Sequence, residues 1–530
     1  MVKQFYLSKT FLWGILGIGI ILLMRQYLFN RSFWPDEAAL ALNILDKSYS
    51  ELLQPLDFNV AAPLGFLLLE KLLVQALGDS EYVLRLIPVL SAALALGLLV
   101  KVLPYFLTPA AVPVAFGFCA ASNWYIYYAT TLKQYASDVL IAVLLYAVVI
   151  TVLAKPPTFR RMLLFGGSGA LCLWFSHPAV FILAGVGATI TGAQIARKAW
   201  TELRRYALAY GCWILSLAAI YWISLREIAQ NTLNQQFWAN ADRGFLPFPP
   251  DLIWMGKAFF ETIQDLFGIA NADALTEQIA WLQAIGASVL GVSPSLGVSL
   301  VEMFRLFCAG LGWVIFYLIS AVMLIAGGIV IGLKNKTKGL LLISPIILVI
   351  IASGLHKYPL AYKLLLFSTP ILFMFLGEGA IWLSTKRKPL IGVVLIAAVC
   401  GYPWLQAGRV LISPQVHEEA RPVLHYLKTH KQAGDGIYVY YMSGHVYRYY
   451  ARRFGFAADT YIQGIAARTN WQNYLQDLQQ LRGQKRVWLF FSHAYAEETF
   501  FLQYLDTIGK RLDEFEDVRA AVYLYDLRTF

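Results

Sequence analysis

The sequence predicts a polytopic α-helical membrane protein with about eleven transmembrane helices and a small C-terminal α/β domain. Hydrophobic residues make up 58% of the 530 residues and charged residues only 14%, whereas a soluble domain averages about 25% charged residues. Apolar runs of about 20 residues, the length that spans a bilayer, recur along residues 1–407. From residue 408 onward, charged and polar residues become common, so we expect 408–530 to be a soluble domain.

Each apolar run is a candidate membrane span. The eleven runs lie at 11–29, 84–106, 110–128, 136–154, 162–176, 178–196, 207–224, 305–333, 339–355, 364–384 and 389–407. No small-residue cleavage site follows the first run, which predicts a membrane anchor rather than a signal peptide.

The distribution of charge predicts the orientation of these spans. The short connectors 155–161, 197–205, 334–338 and 386–388 hold thirteen bases and one acid, whereas the long connectors 30–83 and 225–300 hold six bases and fifteen acids. Basic connectors lie on the cytoplasmic side of a membrane. We therefore expect a cytoplasmic N-terminus and, after eleven spans, an extracytoplasmic C-terminal domain. The net charge of +11 is explained by topology and does not indicate nucleic-acid binding.

The two long outer loops, 30–83 and 225–300, contain apolar segments that are too short to span. In the first loop, PDEAALALNIL and PLGFLLLEKLLVQAL each begin with proline and predict helices lying in the membrane interface. In the C-terminal domain, GIYVYYM, KRVWLFF and AVYLYDL predict strands. EEARPVLHYLKTH, NWQNYLQDLQQLR and AEETFFLQYLDTIGKRL predict helices between them.

Adjacent carboxylates, Asp36 and Glu37, occur just after the first span. Pro35 suits the first position of a helix, and acids in a first turn complement the helix dipole, which is one explanation for the pair. The other explanation is catalysis, with one acid serving as a base towards a substrate in the membrane.

A second cluster lies at the outer entrance of the span 136–154. Lys133, Tyr135 and Asp138 are close in sequence there, and Gln134 shares a helix face with Asp138. Lys133 suits phosphate binding, but a lysine at a helix end also snorkels to the interface. Arg85, at the start of the second span, has the same two interpretations, as a phosphate ligand or an interface anchor.

A third cluster, HKYPLAYKLLLFSTP, is the exception to the charge asymmetry, because this outer connector carries bases and no acid. His356, Lys357 and Lys363 supply the positive and hydrogen-bonding groups, and Tyr358 lies between them. Tyr358, together with Tyr135 and Asp138, is predicted to line the substrate pocket. Contact with lipid headgroups is one explanation. A bound phosphate is the other, since lysine presents a compact charge to phosphate.

The three clusters together suit the transfer of a sugar from a polyprenyl phosphate. A carboxylate accepts the proton of the attacking hydroxyl as a general base, and lysines stabilise the charge that develops on the departing phosphate. A transporter or flippase of lipid-linked sugars is the alternative, although the sequence shows no convincing internal repeat. A non-catalytic scaffold for glycan assembly is a third hypothesis.

The ordered motifs SFWPDEAALALNI, APLGFLLLEK, LRLIPVLS, LKQYASDV and KYPLAYKLLLFSTP resemble those of GT-C membrane glycosyltransferases over residues 10–385. More narrowly, they resemble family 39-like bacterial members, relatives of the protein O-mannosyltransferases and of the aminoarabinose transferase of lipid A. Many relatives carry arginine where this chain has Lys363. Lysine lacks the fork of donors with which arginine binds a phosphate through two parallel hydrogen bonds.

The resemblance implies an inverting transfer at the outer face of a bacterial plasma (inner) membrane. It makes Asp36 the catalytic base with Glu37 beside it, and it places Lys133 and residues 356–363 on the donor phosphate. The partners implied are a polyprenyl-phosphate-linked sugar, membrane lipids and a glycan, lipid or protein acceptor. No cofactor is certain. A divalent metal stays open, with Asp36, Glu37 and Asp138 as the only acids placed to bind it.

Overall fold

The computed structural model describes residues 9–241, 243–268, 298–386, 389–456, 461–468 and 470–528. Part of the predicted outer loop 225–300 and part of the connector 386–388 therefore lie outside the described residues. Within them, eight helices are long and apolar enough to cross a membrane, which makes the chain a multi-pass membrane protein. These segments are Lys9–Phe29, Leu86–Phe106, Tyr135–Leu153, Ala179–Ala196, Trp200–Ile228, Gly312–Lys334, Lys336–Gly354 and Lys363–Thr385.

All eleven predicted spans are helical, but some are shorter or broken. In chain order the helices of the membrane region are α1 (Lys9–Phe29), α2 (Pro35–Asp46), α3 (Leu64–Leu77), α4 (Glu81–Leu84), α5 (Leu86–Phe106), α6 (Ala111–Ala121), α7 (Asn123–Tyr128), α8 (Tyr135–Leu153), α9 (Phe159–Phe175), α10 (Ala179–Ala196), α11 (Trp200–Ile220), α12 (Arg226–Gln230), α13 (Thr232–Asn240), α14 (Leu252–Phe267), α15 (Val298–Lys334), α16 (Lys336–Gly354), α17 (Thr369–Lys386) and α18 (Pro389–Ile412). The predicted span 110–128 breaks between α6 and α7 because Ser122 leaves the helical conformation and caps α7.

Close packing between α15 and α17 depends on glycine. A Cβ on Gly327 would overlap the backbone carbonyl of Phe375, and a Cβ on Gly379 would overlap that of Met323. Small residues of this kind let membrane helices approach closely. A 3-10 segment, Tyr362–Ser368, leads into α17 and packs against α8, so it connects two parts of the sequence that carry candidate site residues.

The predicted interfacial helices of the first outer loop are present as α2 and α3. Both contribute to an apolar core that they share with the C-terminal domain, so α2 is covered by protein rather than lying open at the interface. Polar contacts fix this junction. The Glu419 carboxylate accepts hydrogen bonds from the backbone and hydroxyl of Ser32, and Tyr450 Oη accepts one from the Phe33 backbone.

The C-terminal domain is built on a sheet, as predicted. The strands that the structure describes are β1 (Gly436–Val439), β2 (Ile462–Gln463), β3 (Val487–Ser492), β4 (Lys510–Asp517) and β5 (Ala520–Asp526), in the order β2-β1-β3-β5-β4. β1 pairs with β2 and β3 in parallel, and β5 pairs antiparallel with β3 and β4. The helices of this domain are α19 (Ala420–His430), α20 (Gly444–Phe454), α21 (Gln472–Leu478) and α22 (Ala496–Ile508).

Three details of this domain differ from the sequence prediction. The helix predicted over AEETFFLQYLDTIGKRL ends at Ile508, and the strand β4 begins two residues later. Helix α20 was not predicted, although it has a strongly amphipathic pattern with four tyrosine and valine side chains buried. The short strand β2 was also not predicted.

Candidate functional site

The carboxylate of Asp36 and the ammonium of Lys363 form an ion pair, with Asp36 Oδ2 lying 3.0 Å from Lys363 Nζ. Asp36 is in the first turn of α2, where Pro35 occupies the first helical position, and Lys363 is in the 3-10 segment before α17. Both side chains are partly exposed, Asp36 by 41% and Lys363 by 19%. The structure thus brings together the acid of the first outer loop and the basic outer connector.

Lys133 completes this group of charges. Its side chain is buried in the turn between α7 and α8. Burial favours the neutral amine and lowers the pKa of Lys133, which the nearby Asp36 carboxylate partly opposes. Burial alone would raise the pKa of Asp36, but the charges of Lys133 and Lys363, with the Lys363 hydrogen bond, hold it well below its usual range. Asp36 is therefore an ionised carboxylate that interacts with both Lys363 and Lys133.

Glu37 has a different environment from Asp36. It has no exposed side-chain surface, and its two oxygens accept hydrogen bonds from Arg85 at 2.9 and 3.0 Å. Arg31 lies 3.6 Å away, and the Leu132 backbone N–H donates at 2.8 Å. Burial raises the pKa of Glu37, but both arginines and this N–H lower it below its ordinary value. Glu37 is a buried structural acid, and the structure does not support its predicted role as a second acid beside the base.

Arg85 is likewise not brought to the site. Only 1% of its side chain is exposed, and its guanidinium donates to Glu37 and to the backbone oxygens of Arg31 and Ser32. Arg85 therefore faces the protein interior rather than solvent. Its donors are committed to holding the loop before α2 against the start of α5, which leaves none for a phosphate.

Two aromatic residues of the site were missed by the sequence reasoning. The Lys363 ammonium lies 5.4 Å from the centroid of the Trp34 ring, and His493 of the C-terminal domain packs edge-on against the same ring at 6.0 Å. His493 follows β3 with φ of 56°, and its Nδ1 is 3.3 Å from a carboxylate oxygen of the buried Glu418. Trp34 adjoins the Pro35–Asp36 motif, which is the one sequence signal for it.

Tyr135, Asp138 and Tyr358, the predicted substrate pocket, lie near one another. The Tyr358 hydroxyl donates to the Leu364 backbone at 2.8 Å, and burial together with the charge of Asp138 raises the pKa of Tyr358. Asp138 is buried at the outer end of α8, and its Oδ1 has no hydrogen-bond partner among the residues that the structure describes. A buried carboxylate oxygen without a donor is costly, and the buried hydroxyl of Ser176 lies close enough to Asp138 to serve as that donor.

His356 and Lys357 are placed apart from the ion pair. Both are exposed, His356 has a φ of 54°, and its ring stacks on Phe245 of the second outer loop at 4.9 Å. Within the described part of the chain, no hydrogen bond or ion pair joins either side chain to Asp36 or Lys363. Of the predicted phosphate ligands, only Lys133 and Lys363 are therefore brought to Asp36.

An apolar groove of about 830 Å³ lies beside this site. Its walls come from α14, α15, α16 and α17, and from Leu360, Leu365 and Phe367 on both sides of Lys363. Along α16 it extends from Lys336 to Ile350, about 21 Å at 1.5 Å per residue. A groove of this length and composition has the dimensions of a site for a hydrocarbon chain.

The residues around Asp36 do not fit a divalent metal. In the described ranges, no three His, Cys, Asp or Glu side chains are grouped so that they could hold a metal ion. The charges closest to Asp36 are the ammonium groups of Lys133 and Lys363, which would repel a cation. Of the other two acids, Glu37 is bound by arginines and Asp138 is buried at the end of α8.

Comparison with known proteins identifies the fold. No family model matches the sequence, and no characterised protein matches it by sequence. The structure of ArnT from Cupriavidus metallidurans bound to undecaprenyl phosphate superposes with a TM-score of 0.51 at 10% identity, over 97% of both chains. The oligosaccharyltransferase of Archaeoglobus fulgidus tethered with an acceptor peptide gives 0.50 at 10% identity, over 91% of this chain and 69% of that one.

The chain has a GT-C fold. Both of these proteins are GT-C superfamily members, so the predicted fold class is confirmed. At 10% identity, the likeness is one of backbone architecture. The comparisons therefore show the fold of the chain and not its activity.

Proposed function

We propose that this protein is a membrane glycosyltransferase that moves a sugar from a polyprenyl-phosphate donor to an acceptor hydroxyl. The observation that carries the proposal is the 3.0 Å contact between Asp36 and Lys363, which lie at opposite ends of the membrane region in sequence. This contact supports the proposed roles of Asp36 as the carboxylate base and of Lys363 as a phosphate-binding cation, with an apolar groove lined by residues on both sides of Lys363 in sequence. The domain assignment follows, with 1–407 as the catalytic region and 408–530 as a soluble module.

The groove and the lysines suit the two parts of such a donor. Isoprene units pack against the leucine, isoleucine and phenylalanine side chains of the groove, where burial of each CH₂ contributes about 0.8 kcal/mol. Two ammonium groups beside one carboxylate leave an excess positive charge for a phosphate. ArnT, which shares the fold, was solved with undecaprenyl phosphate, and this supports the same class of lipid here.

The proposed reaction is a direct displacement. The acceptor oxygen bonds to the anomeric carbon as the bond from that carbon to the phosphate oxygen breaks. Asp36 takes the hydroxyl proton, and the polyprenyl phosphate leaves with the bonding electron pair. Lys133 and Lys363 stabilise the negative charge that develops on the phosphate. Asp36 suits the base role because its two lysines keep it ionised, and its partial exposure leaves it accessible to a hydroxyl.

A single displacement inverts the anomeric configuration. A retaining, double displacement requires a nucleophilic carboxylate in addition to the acid–base group. Glu37, the neighbouring acid, is enclosed by Arg85 and Arg31 and is not available as that nucleophile. We place the donor sugar against Tyr135, Asp138 and Tyr358, where the Asp138 carboxylate can accept a hydrogen bond from a sugar hydroxyl.

We propose that this site lies at the outer face of a bacterial plasma membrane, with a cytoplasmic N-terminus and an extracytoplasmic C-terminal domain. The charge asymmetry of the connectors supports this orientation under the positive-inside rule. The acceptor is a lipid, glycan or protein hydroxyl that approaches from the side of the C-terminal domain. The Archaeoglobus fulgidus oligosaccharyltransferase was solved with an acceptor peptide, which supports entry of acceptors in this fold.

Purified protein in liposomes tests the proposal against the two alternatives. The liposomes contain a lipid extract with polyprenyl-phosphate sugars and candidate acceptors, and mass spectrometry follows the donor and the free polyprenyl phosphate. A glycosyltransferase converts the donor to polyprenyl phosphate and makes a glycosylated acceptor without partner proteins. A flippase moves the intact donor between leaflets, and a scaffold leaves it unchanged. Either of these two results would refute the proposal.

A further inference from the structure

A second cavity, of about 400 Å³, lies in the C-terminal domain. Helix α20 forms one wall and the segment at β2 forms the other. The lining side chains are Tyr447, Arg448, Ala451, Arg452, Phe456, Tyr461 and Gln463. This cleft combines three aromatic rings with two guanidinium groups and an amide, and none of these residues takes part in the transfer step described above.

The polar groups of the cleft are incompletely paired. Arg452 is bound to Asp46 of α2. Arg448, in contrast, is exposed and forms no ion pair within the described ranges; its Nε donates to the hydroxyl of Tyr461 at 2.9 Å. Tyr447 is completely buried, and its hydroxyl has no hydrogen-bond partner among the described side chains and backbone. A buried hydroxyl at a cavity wall and an arginine without a carboxylate both indicate a ligand.

The cleft lies on the helix that packs against α2. Arg452 of α20 pairs with Asp46 at the end of α2. Burial and the charge of Arg448 lower the pKa of His445, and the Asp36 carboxylate opposes this shift, so both groups are near the ring. The Phe58 ring lies 4.3 Å from the His445 ring and 5.9 Å from the Arg448 guanidinium. Arg448 is three residues from His445, so the cleft begins about one helical turn, roughly 5 Å along α20, from the His445 ring.

We infer that this cleft binds the acceptor, and that the acceptor is a saccharide bearing a phosphate or carboxylate group. The guanidinium of Arg448 has the fork geometry that binds such anions with two hydrogen bonds. The tyrosine and phenylalanine rings present apolar faces against which a sugar ring packs, and the Tyr447 hydroxyl is available to its hydroxyls. This inference rests on the proposed function, because it assigns the acceptor of that reaction.

Binding of small saccharides to the full-length protein in nanodiscs tests the inference. The probes are glucose 6-phosphate, glucuronate, glucose and inorganic phosphate, with affinity measured by calorimetric titration. We expect the two anionic sugars to bind at least tenfold more tightly than glucose or phosphate alone. Arg448→Gln should remove this preference, with about a tenfold loss of affinity for glucose 6-phosphate. Arg482→Gln, an equal change at an exposed arginine of the same domain outside the cleft, should leave it unchanged.

Tyr447→Phe provides a second test that does not depend on charge. It removes a hydroxyl without a partner, so the melting temperature should not fall, while affinity for both anionic sugars falls. If the unsubstituted protein binds no anionic sugar, or if neither cleft variant weakens binding, the inference is refuted. Release of polyprenyl phosphate in the same nanodiscs keeps the two proposals distinguishable. Release without sugar binding refutes the acceptor site alone, whereas no release from any donor refutes the proposed function and this inference with it.

Discussion

Asp36 and Glu37 are adjacent in sequence and occupy opposite kinds of environment. Asp36 is 41% exposed and lies between two lysines, one of them 3.0 Å away. Glu37 has no exposed surface and is held by two arginines and a backbone N–H. Successive residues of a helix point about 100° apart, so the first turn of α2 directs Asp36 towards the two lysines and Glu37 towards the buried arginines.

The comparison shows how the choice of cation separates a reactive site from a structural one. Arg85 and Arg31 bind Glu37 with several fixed hydrogen bonds and leave no position for a substrate. Lysines present a compact charge on a flexible stem, and a phosphate can replace part of their contact with Asp36. The arginine cluster fixes the loop before α2, and that fixed loop positions Asp36.

Asp36→Asn should have the largest effect on activity. A general base contributes about 10²–10⁴-fold to the rate, so we expect kcat to fall by about a thousandfold. The melting temperature should change little, because a partly exposed ion pair contributes only about 0–1 kcal/mol. Purified variant in liposomes, followed by mass spectrometry of the acceptor, measures the transfer. Normal transfer would remove Asp36 from the mechanism.

Glu37→Gln should reverse this pattern and mainly reduce stability. The substitution keeps the shape of the side chain but leaves Arg85 and Arg31 buried without a carboxylate, which costs about 3–5 kcal/mol. We expect a clearly lower melting temperature in detergent, measured by fluorescence-detected size exclusion after heating. A variant as stable as the unsubstituted protein, but inactive, would show that Glu37 acts in catalysis and that the contrast drawn here is wrong.

Lys363→Ala should weaken donor binding more than it slows turnover. Loss of a charge-assisted hydrogen bond costs about 1.5–3 kcal/mol, so we expect the donor KM to rise about tenfold or more, with a smaller fall in kcat. Lys357→Ala is the matched control, because Lys357 is on the same connector but exposed and apart from Asp36. Equal effects of the two substitutions on KM would mean that this connector binds lipid headgroups non-specifically.

Lys133→Arg should have the smallest effect, visible in the pH profile. Burial lowers the pKa of Lys133, so its ammonium loses its proton at a lower pH than an ordinary lysine, and kcat/KM should fall as the pH rises through that lowered pKa. Arginine stays charged over this range, so the variant should keep its activity to higher pH, with kcat/KM at neutral pH within about threefold. An unchanged alkaline limb would show that Lys133 does not titrate in catalysis.

Sequence reasoning located the outer connector 356–363 because its bases broke the charge asymmetry of the chain. It could not decide which base reaches Asp36, since that depends on the 3-10 turn that directs Lys363 inward while His356 and Lys357 face out. Arg85 is a related case. The position of Arg85 at the start of a span suggests the membrane interface. Only the folded loop shows that its guanidinium donates to both oxygens of the buried Glu37.

The C-terminal domain shows the same limit. β1, β3 and β5 are apolar runs with buried side chains, so they were predictable from sequence. β4 carries charges at most positions, yet the exposure of its side chains alternates with a period of two, which is typical of a strand. The prediction of a single longer helix over this segment missed that alternation. The contact of His493 with Trp34 has no local sequence signal, because it exists only when this domain docks on the first outer loop.

The most direct test of the central claim is a cryo-electron microscopy structure in nanodiscs with added polyprenyl phosphate. The account predicts density for the phosphate within hydrogen-bonding distance of Lys363 and Lys133, next to Asp36, and density for the isoprene chain in the groove between α14, α15, α16 and α17. A phosphate bound away from Asp36, with the groove filled by ordinary membrane lipid, would contradict it.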